Sequence, residues 1–463
     1  MKKYDLIVIG MGPAGMTVSG MASNMGLKVL GIDANRVGGE CLNSGCIPSK
    51  SLLKAAAHKE AIEHLDNFGL SLKGEVEVVD PLQVVQKQLE MLTGPNLLKK
   101  FDLVDLVIEK GYARFIDENT VEVNDEKYTS DLIFIATGTM PFIPPIPGLK
   151  DIRILTNTNM FQLESIPEKL SIIGGGAIGS EMAQAFSRLG SDVVLVQMDP
   201  HLIPNGDEEA ARILETAFER EGVKVFNSTS ISKVEEVNGK IMMHTDKGLF
   251  ESDEILVATG RQPVLEPLEL DNAGIEYSKK GIVVDEFNRT NYKHVYALGD
   301  CNGQSLLSHA AMHQGMVSLM QALSGKENDK YMRSNYPVPW SVFTTPEVAQ
   351  VGLTEKQAKE QGIDYMVVKE EYKTYARAIT DGAPDGFVKL LTDQMGTIFG
   401  VTIVGEVASE LIQEWTMAIQ NQLTVFNILM MQHSFPTISM LNKTVAEKWM
   451  MIMAKTGDIR SML

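Results

Sequence analysis

The chain has 463 residues, 44% hydrophobic and 22% charged, an ordinary globular balance and enough length for about three domains at roughly 150 residues each. Its 60 acidic and 42 basic side chains leave a formal net charge of −18, a field that repels phosphate backbones and anionic lipid and argues against nucleic acid or a membrane as partner. Three cysteines, Cys41, Cys46 and Cys301, are too few for a secreted disulfide framework; two lie five residues apart, which fits one working pair in a reducing compartment.

The first ten residues, ending in Gly10, hold an apolar run too short for a signal peptide. No run of about 18 apolar residues occurs, so no spanning helix is expected and the expected location is cytoplasmic. Short β-branched runs ending in glycine or a polar residue recur at Leu6–Gly10, Val29–Asp33, Leu132–Gly138, Leu170–Gly174, Val193–Gln197, Ile255–Gly260 and Val295–Asp300, the pattern of buried parallel strands. Helical stretches such as Ala14–Met25 and Ile178–Leu189 lie between them, and this alternation predicts an α/β fold of doubly wound, Rossmann-like sheets. It begins twice, at residues 4 and 170, so two nucleotide-binding units are expected. After about residue 336 the pattern changes: Phe387–Leu391 and Thr397–Gly405 read as antiparallel strands about a turn at Asp393–Gly396, and a long helix near 407–423 follows, as in an α+β domain.

The first motif is Gly10-Met-Gly12-Pro-Ala-Gly15, between a strand and a helix. Gly10 allows the tight turn, Gly12 lets backbone approach a pyrophosphate at the positive helix end, and Gly15 lets helix pack on strand. Asp33 ends the next strand, where a carboxylate can accept from a ribose. Gly174-Gly-Gly176-Ala-Ile-Gly179 repeats the arrangement. Its second strand ends in Gln197, which can bond a ribose hydroxyl but discriminates poorly; with no cation in reach to grip a 2′-phosphate, NAD is favoured over NADP.

The third motif, Gly38-Gly-Glu-Cys41-Leu-Asn-Ser-Gly-Cys46-Ile-Pro-Ser-Lys50, places two cysteines around a helix start. The helix N-terminus and Lys50 both favour thiolate, the form that exchanges disulfides. A structural disulfide is the alternative; a metal site needs about four ligands and no second pair exists, so none is expected.

These motifs, with Ala136-Thr-Gly138, Ala258-Thr-Gly260-Arg261, Ala297-Leu-Gly299-Asp300 and Pro346-Glu-Val-Ala-Gln-Val-Gly352, resemble over nearly the whole length the flavoprotein pyridine nucleotide-disulfide oxidoreductases. The resemblance implies an FAD-binding domain of residues 1–148 and 271–335, an NAD(P)-binding domain of 149–270 and a dimerisation domain of 336–463, working as a homodimer. It implies that hydride passes from nicotinamide to flavin and then to the sulfurs, with Cys46 proximal to the flavin and Cys41 meeting the substrate. It further implies that Asp300 holds the ribityl chain and that Lys50, paired with Glu181, stabilises negative charge on reduced flavin.

One region departs from the family. Its disulfide-reducing members carry a His-Pro-Thr motif with a glutamate five residues after the histidine, a dyad from the partner subunit that serves the exchange thiol. Here Phe435 and Met440 stand at those places, and His433 needs a shifted backbone to substitute. The mercuric reductases lack the histidine too but end in a cysteine pair, whereas this chain ends in Arg460-Ser-Met-Leu463. The expected acceptor is a small or protein-bound disulfide; a metal ion or quinone, or service as a slow flavin redox sensor, are the alternatives. The 26 methionines, crowded toward the C-terminus, read first as gap-filling packing and second as soft-metal ligands. Cys301 reads as a buried apolar residue, and His309 and His313 as packing or flavin-edge contacts.

Overall fold

In the computed structural model, which describes residues 2–325 and 336–456, the first glycine turn joins strand Lys2–Ile9 of a seven-stranded sheet to helix Pro13–Asn24. Strands Val104–Ile108, Val29–Asp33, Lys2–Ile9 and Glu126–Ile135 run parallel. The last is long because it serves two neighbours. Its first half carries Thr120–Val123 antiparallel, and its second half takes Val295–Ala297 in parallel from far along the chain.

Between those two segments the chain builds the second parallel sheet, ordered Lys224–Phe226, Asp192–Val196, Lys169–Ile173, Glu254–Val257. It also carries an antiparallel meander, Ile231–Val237, Lys240–Thr245 and Gly248–Ser252. The meander escaped the sequence reading because its exposed face is charged and no long β-branched run marks it. The two units are joined where Thr139–Pro141 pairs with Arg261–Pro263. The expected strands Leu132–Gly138 and Ile255–Gly260 end early, at Ile135 and Val257, because Gly138 and Gly260 turn the chain with φ of 69° and 118°.

The C-terminal part is a five-stranded antiparallel sheet, ordered Trp340–Val342, Glu347–Gly352, Ile398–Gly405, Phe387–Thr392, Met366–Glu371. Helices Ala408–Gln420 and Met440–Thr456 pack with it, and Trp415 on the first donates Nε1 to Asn442 Oδ1 on the second at 2.7 Å. The fold is therefore the expected pair of doubly wound units followed by an α+β domain. The predicted domain ends that fall at 326–335 and 457–463, the Arg460–Leu463 tail among them, lie outside the described residues.

One hydrophobic cluster spans all three parts. Leu52 and Ala56, on the helix that begins at Cys46, pack with Met182 and Phe186 of helix Ala177–Arg188 and with Phe387 and Val404 of the last sheet. That packing holds the cysteine-bearing helix against the second nucleotide unit. Lys389 reinforces it: buried on strand Phe387–Thr392, it reaches Asp207 and Glu209 at 2.9 Å at the start of helix Glu208–Arg220.

Candidate active site

Both glycine turns open on one cavity of about 2180 Å³, bordered also by Cys41, Cys46, Lys50, Glu181, Asp33, Asp300 and Gln197. Gly138 and Gly260 lie on its wall too; of the glycines in the two nucleotide turns, Gly15 and Gly179 do not. Their work is packing. A Cβ on Gly15 would stand 1.8 Å from Gly10 O, and one on Gly179 1.9 Å from Gly174 O. Gly10 and Gly174 are equally confined, at 2.3 Å from Ala136 O and 2.4 Å from Ala258 O. The middle glycines differ. Nothing comes nearer than 4.0 Å to a Cβ on Gly12, and nothing lies within 4 Å at Gly176. Three glycines in each turn thus split into two that fit strand to helix and one that keeps a helix N-terminus open to the cavity. This is the shape a dinucleotide pyrophosphate requires, twice over.

The strand-end polar residues repeat as well. Asp33 accepts from Met11 N at 2.7 Å and from Asn35 N at 2.8 Å, and burial raises its carboxyl above the ordinary range. Gln197 Oε1 accepts from Gly175 N at 3.0 Å, so the side chain expected to meet a ribose also holds the turn. Its Nε2 donates to Asp199 Oδ2 at 3.1 Å.

Asp300 accepts at 2.8 Å from Thr139 Oγ1, which accepts from Arg261 Nε at 2.7 Å. Burial raises the Asp300 carboxyl. The same guanidinium bonds Glu40, which Asn157 Nδ2 also reaches at 3.0 Å. Arg261 therefore ties the residue before Cys41 to the connector between the nucleotide units. Sequence reading missed this bridge because its members are scattered over 260 positions of chain and only folding assembles them.

Cys46 opens helix Cys46–Glu63 and Cys41 lies on the short helix Gly39–Asn43; both thiols are free. Cys46 is held down to about 6, first by a hydrogen bond with Cys41, then by Ser308 and the charge of Lys50, against the opposing effect of burial. Cys41 is pushed up by that same hydrogen bond and by burial. The pair therefore keeps one proton on Cys41 and a thiolate on Cys46. Ser308 Oγ lies 3.5 Å from Cys46 Sγ, and toward a thiolate the hydroxyl is the donor. Lys50 Nζ reaches both oxygens of buried Glu181, at 2.9 and 2.8 Å, and lies 4.4 Å from the Phe343 ring centre. Glu181 Oε1 also accepts from Phe343 N at 3.1 Å.

A pH dependence follows. Thiolate grows as pH passes the thiol's pKa, so carbamidomethylation of Cys46 in reduced protein should rise through about pH 6 and level off above it, while Cys41 stays slow. Ser308→Ala removes a donor to the thiolate and should move that midpoint upward. An unmoved midpoint would show that the hydroxyl contributes nothing. Mass spectrometry of the two cysteine peptides across pH makes the measurement.

His433 does not supply the missing imidazole. Its buried ring pairs with Glu414 of its own domain at 3.0 Å, and Asn442 Nδ2 donates to the same carboxylate at 2.8 Å. Phe435 is 77% exposed on the neighbouring loop, and Met440 begins the last helix. His309 borders the cavity with Nε2 on Pro339 O at 2.7 Å, whereas His313 packs edge-on against the Tyr336 ring at 4.2 Å. Cys301 is fully buried, donates to Leu298 O at 3.2 Å, and burial pushes its thiol up to about 11, which makes it inert packing.

Two nucleotide cradles converging on a thiol pair define a flavoprotein disulfide oxidoreductase. Residues 4–315 match the pyridine nucleotide-disulphide oxidoreductases and residues 338–445 match their dimerisation domain, and the chain belongs to this family, whose members use FAD and NAD(P)H. It is 37% identical over 451 residues to a dihydrolipoyl dehydrogenase of Thermus scotoductus, covering 95% of this chain and 96% of the relative. It is 35% identical over 434 residues to a mercuric reductase of Lysinibacillus sphaericus, covering 91% and 78%. The HOCl-induced flavoprotein disulfide reductase RclA of Escherichia coli superposes with a TM-score of 0.85 at 25% identity, covering 97% of this chain and all of that one, and its Cu(II) complex superposes at 0.86. Among the described residues no helix is long and apolar enough to cross a membrane.

Proposed function

We propose that this protein is a cytoplasmic, homodimeric NADH-dependent reductase that carries FAD in its first unit and passes two electrons through Cys41 and Cys46 to a disulfide acceptor, small or protein-bound. In this reading residues 1–148 and 271–335 hold FAD, 149–270 hold the nicotinamide nucleotide and 336–463 form the dimer. The observation that carries it is the placement of a low-pKa Cys46 on the wall of the shared cavity, beside the Lys50–Glu181 pair.

Bound flavin supplies the two-electron relay between nicotinamide and sulfur. The first glycine turn and Asp33 hold its dinucleotide, and Asp300, set by Thr139, offers a carboxylate to its polyol. Lys50, fixed by Glu181, would offer positive charge to a reduced flavin bound in the cavity. Two electrons and one proton convert the internal disulfide to the Cys46 thiolate and the Cys41 thiol. Cys41, once deprotonated, attacks the acceptor disulfide and releases one half as thiolate. Cys46 then attacks Cys41 sulfur, restores the internal bond and releases the other half. The slow point is the first deprotonation, because His433 is committed to Glu414.

A second reading, reduction of a soft metal ion or a quinone, is favoured by that same gap. Phe435 and Met440 carry no proton, and a metal ion or quinone reduced directly by bound flavin would need no proton taken from Cys41. The similarity to a mercuric reductase and to a protein solved with Cu(II) supports it. Steady-state rates of the purified yellow enzyme with lipoamide, a quinone and Cu(II) separate the readings. Reduction by one equivalent of NADH should produce a long-wavelength thiolate–flavin band. Absence of that band would remove the sulfur pair from the pathway.

A further inference from the structure

The end of strand Asp192–Val196 differs from its counterpart in the first unit, where Asp33 stands. Gln197 is 5% exposed and uses both ends of its amide. Its oxygen holds Gly175 N, the service Asp33 performs for Met11 N in the first unit. An acid at 197 could do that and offer charge to a ribose as well. The amide cannot, and its nitrogen instead fixes the carboxylate of Asp199. Ser228 N, at 2.9 Å from Asp199 O, pins the backbone of the same residue. The negative charge of the strand end has thus moved two residues outward, onto the exposed lip of the cavity, where Asp199 is part of the wall.

Among the described residues no cation pairs with it there. The lysine and arginine residues on the wall are Arg36, Lys50 and Arg261. Arg36 follows the first unit's strand end and pairs with Glu109 at 3.7 Å, Lys50 is taken by Glu181, and Arg261 by Glu40 and Thr139. His201, two residues along the chain from Asp199, does not border the cavity, and its Nδ1 bonds Leu202 O at 2.8 Å.

We infer that Asp199, held by Gln197, is the residue that selects NADH by repelling the 2′-phosphate of NADPH. This rests on the reading of residues 149–270 as the nicotinamide-nucleotide unit. A 2′-phosphate carries nearly two negative charges, and one carboxylate at a solvent-exposed contact should disfavour it by about tenfold at low salt. The repulsion is electrostatic, so it should shrink as salt shortens the Debye length, which a steric exclusion would not.

Calorimetric titration of the holoenzyme with ADP-ribose and with 2′-phospho-ADP-ribose reads this without turnover. The wild type should bind the unphosphorylated compound at least about tenfold more tightly. Asp199→Asn should shrink that ratio by about tenfold through tighter binding of the phosphorylated compound, and Asp199→Lys should shrink it further. Asp199→Glu should retain discrimination, and the gain in Asp199→Asn should fade at 0.5 M salt, roughly where the Debye length nears 4 Å. A wild type that binds the phosphorylated compound as tightly would overturn the NADH reading itself. A wild type that discriminates, with Asp199→Asn discriminating equally, would overturn the role of Asp199 alone.

Discussion

Cys46→Ser is expected to abolish NADH-driven disulfide reduction, a loss of at least about 10³-fold in kcat/KM, because the reaction needs two sulfurs that can bond to each other. The oxygen of serine forms no exchangeable bond with Cys41 and is no thiolate near pH 6. Quinone reduction is the contrasting measurement. A route directly from the cofactor to a quinone bypasses the sulfurs and should survive the substitution, while a route through the thiolate should fall with disulfide reduction. The two rates on one preparation therefore assign the pathway as well as the residue. Retained disulfide reduction in Cys46→Ser would sink the sulfur mechanism outright.

Turnover of dihydrolipoamide by the wild type is expected to be poor, about 10²–10⁴-fold below an enzyme with a working proton relay, the usual worth of general acid–base help. The physical cause lies in two side chains. Phe435, 77% exposed, carries an apolar ring where the family places an imidazole, and Met440 a thioether where it places a carboxylate. Neither can take the proton that Cys41 holds tightly while Cys46 is a thiolate. The double substitution Phe435→His with Met440→Glu should raise the rate by about 10²-fold or more and introduce a pH dependence near the histidine range. The single Phe435→His should gain less, since nothing would orient its ring. Fast wild-type turnover would mean that another group removes the proton and that the acceptor preference argued above is misplaced. A double variant without gain would mean that this loop does not meet the sulfurs across the dimer.

The two readings of the C-terminal region thus become separable by rate. Low activity with dithiols combined with ready reduction of Cu(II) would favour the metal reading. The reverse would favour an unrecognised base. His433 is not that base by geometry, because its ring sits in a buried pair with Glu414 and serves the packing of helices Ala408–Gln420 and Met440–Thr456.

Much of the architecture was legible from local pattern. Period and punctuation are one-dimensional signals: buried parallel strands need unbroken β-branched runs, and a pyrophosphate turn needs glycines at fixed spacing. The Cys41–Cys46 pair belongs to this class, since five residues and a helix start bring both sulfurs near one another. So does the loss at Phe435 and Met440, visible as soon as the motif around Pro436 is recognised. What the chain could not show in one dimension is what its side chains are already spending their bonds on. Gln197 reads as a ribose ligand, and only the fold shows that its oxygen also holds Gly175 N. Asp199 is placed by that amide and by Ser228 N, Ser308 comes to Cys46 from 262 positions away, and Arg261 joins Glu40 to the connector. Local sequence determined which groups could do the chemistry; the tertiary structure decided what else each of them holds, because partners far apart along the chain meet only when it folds.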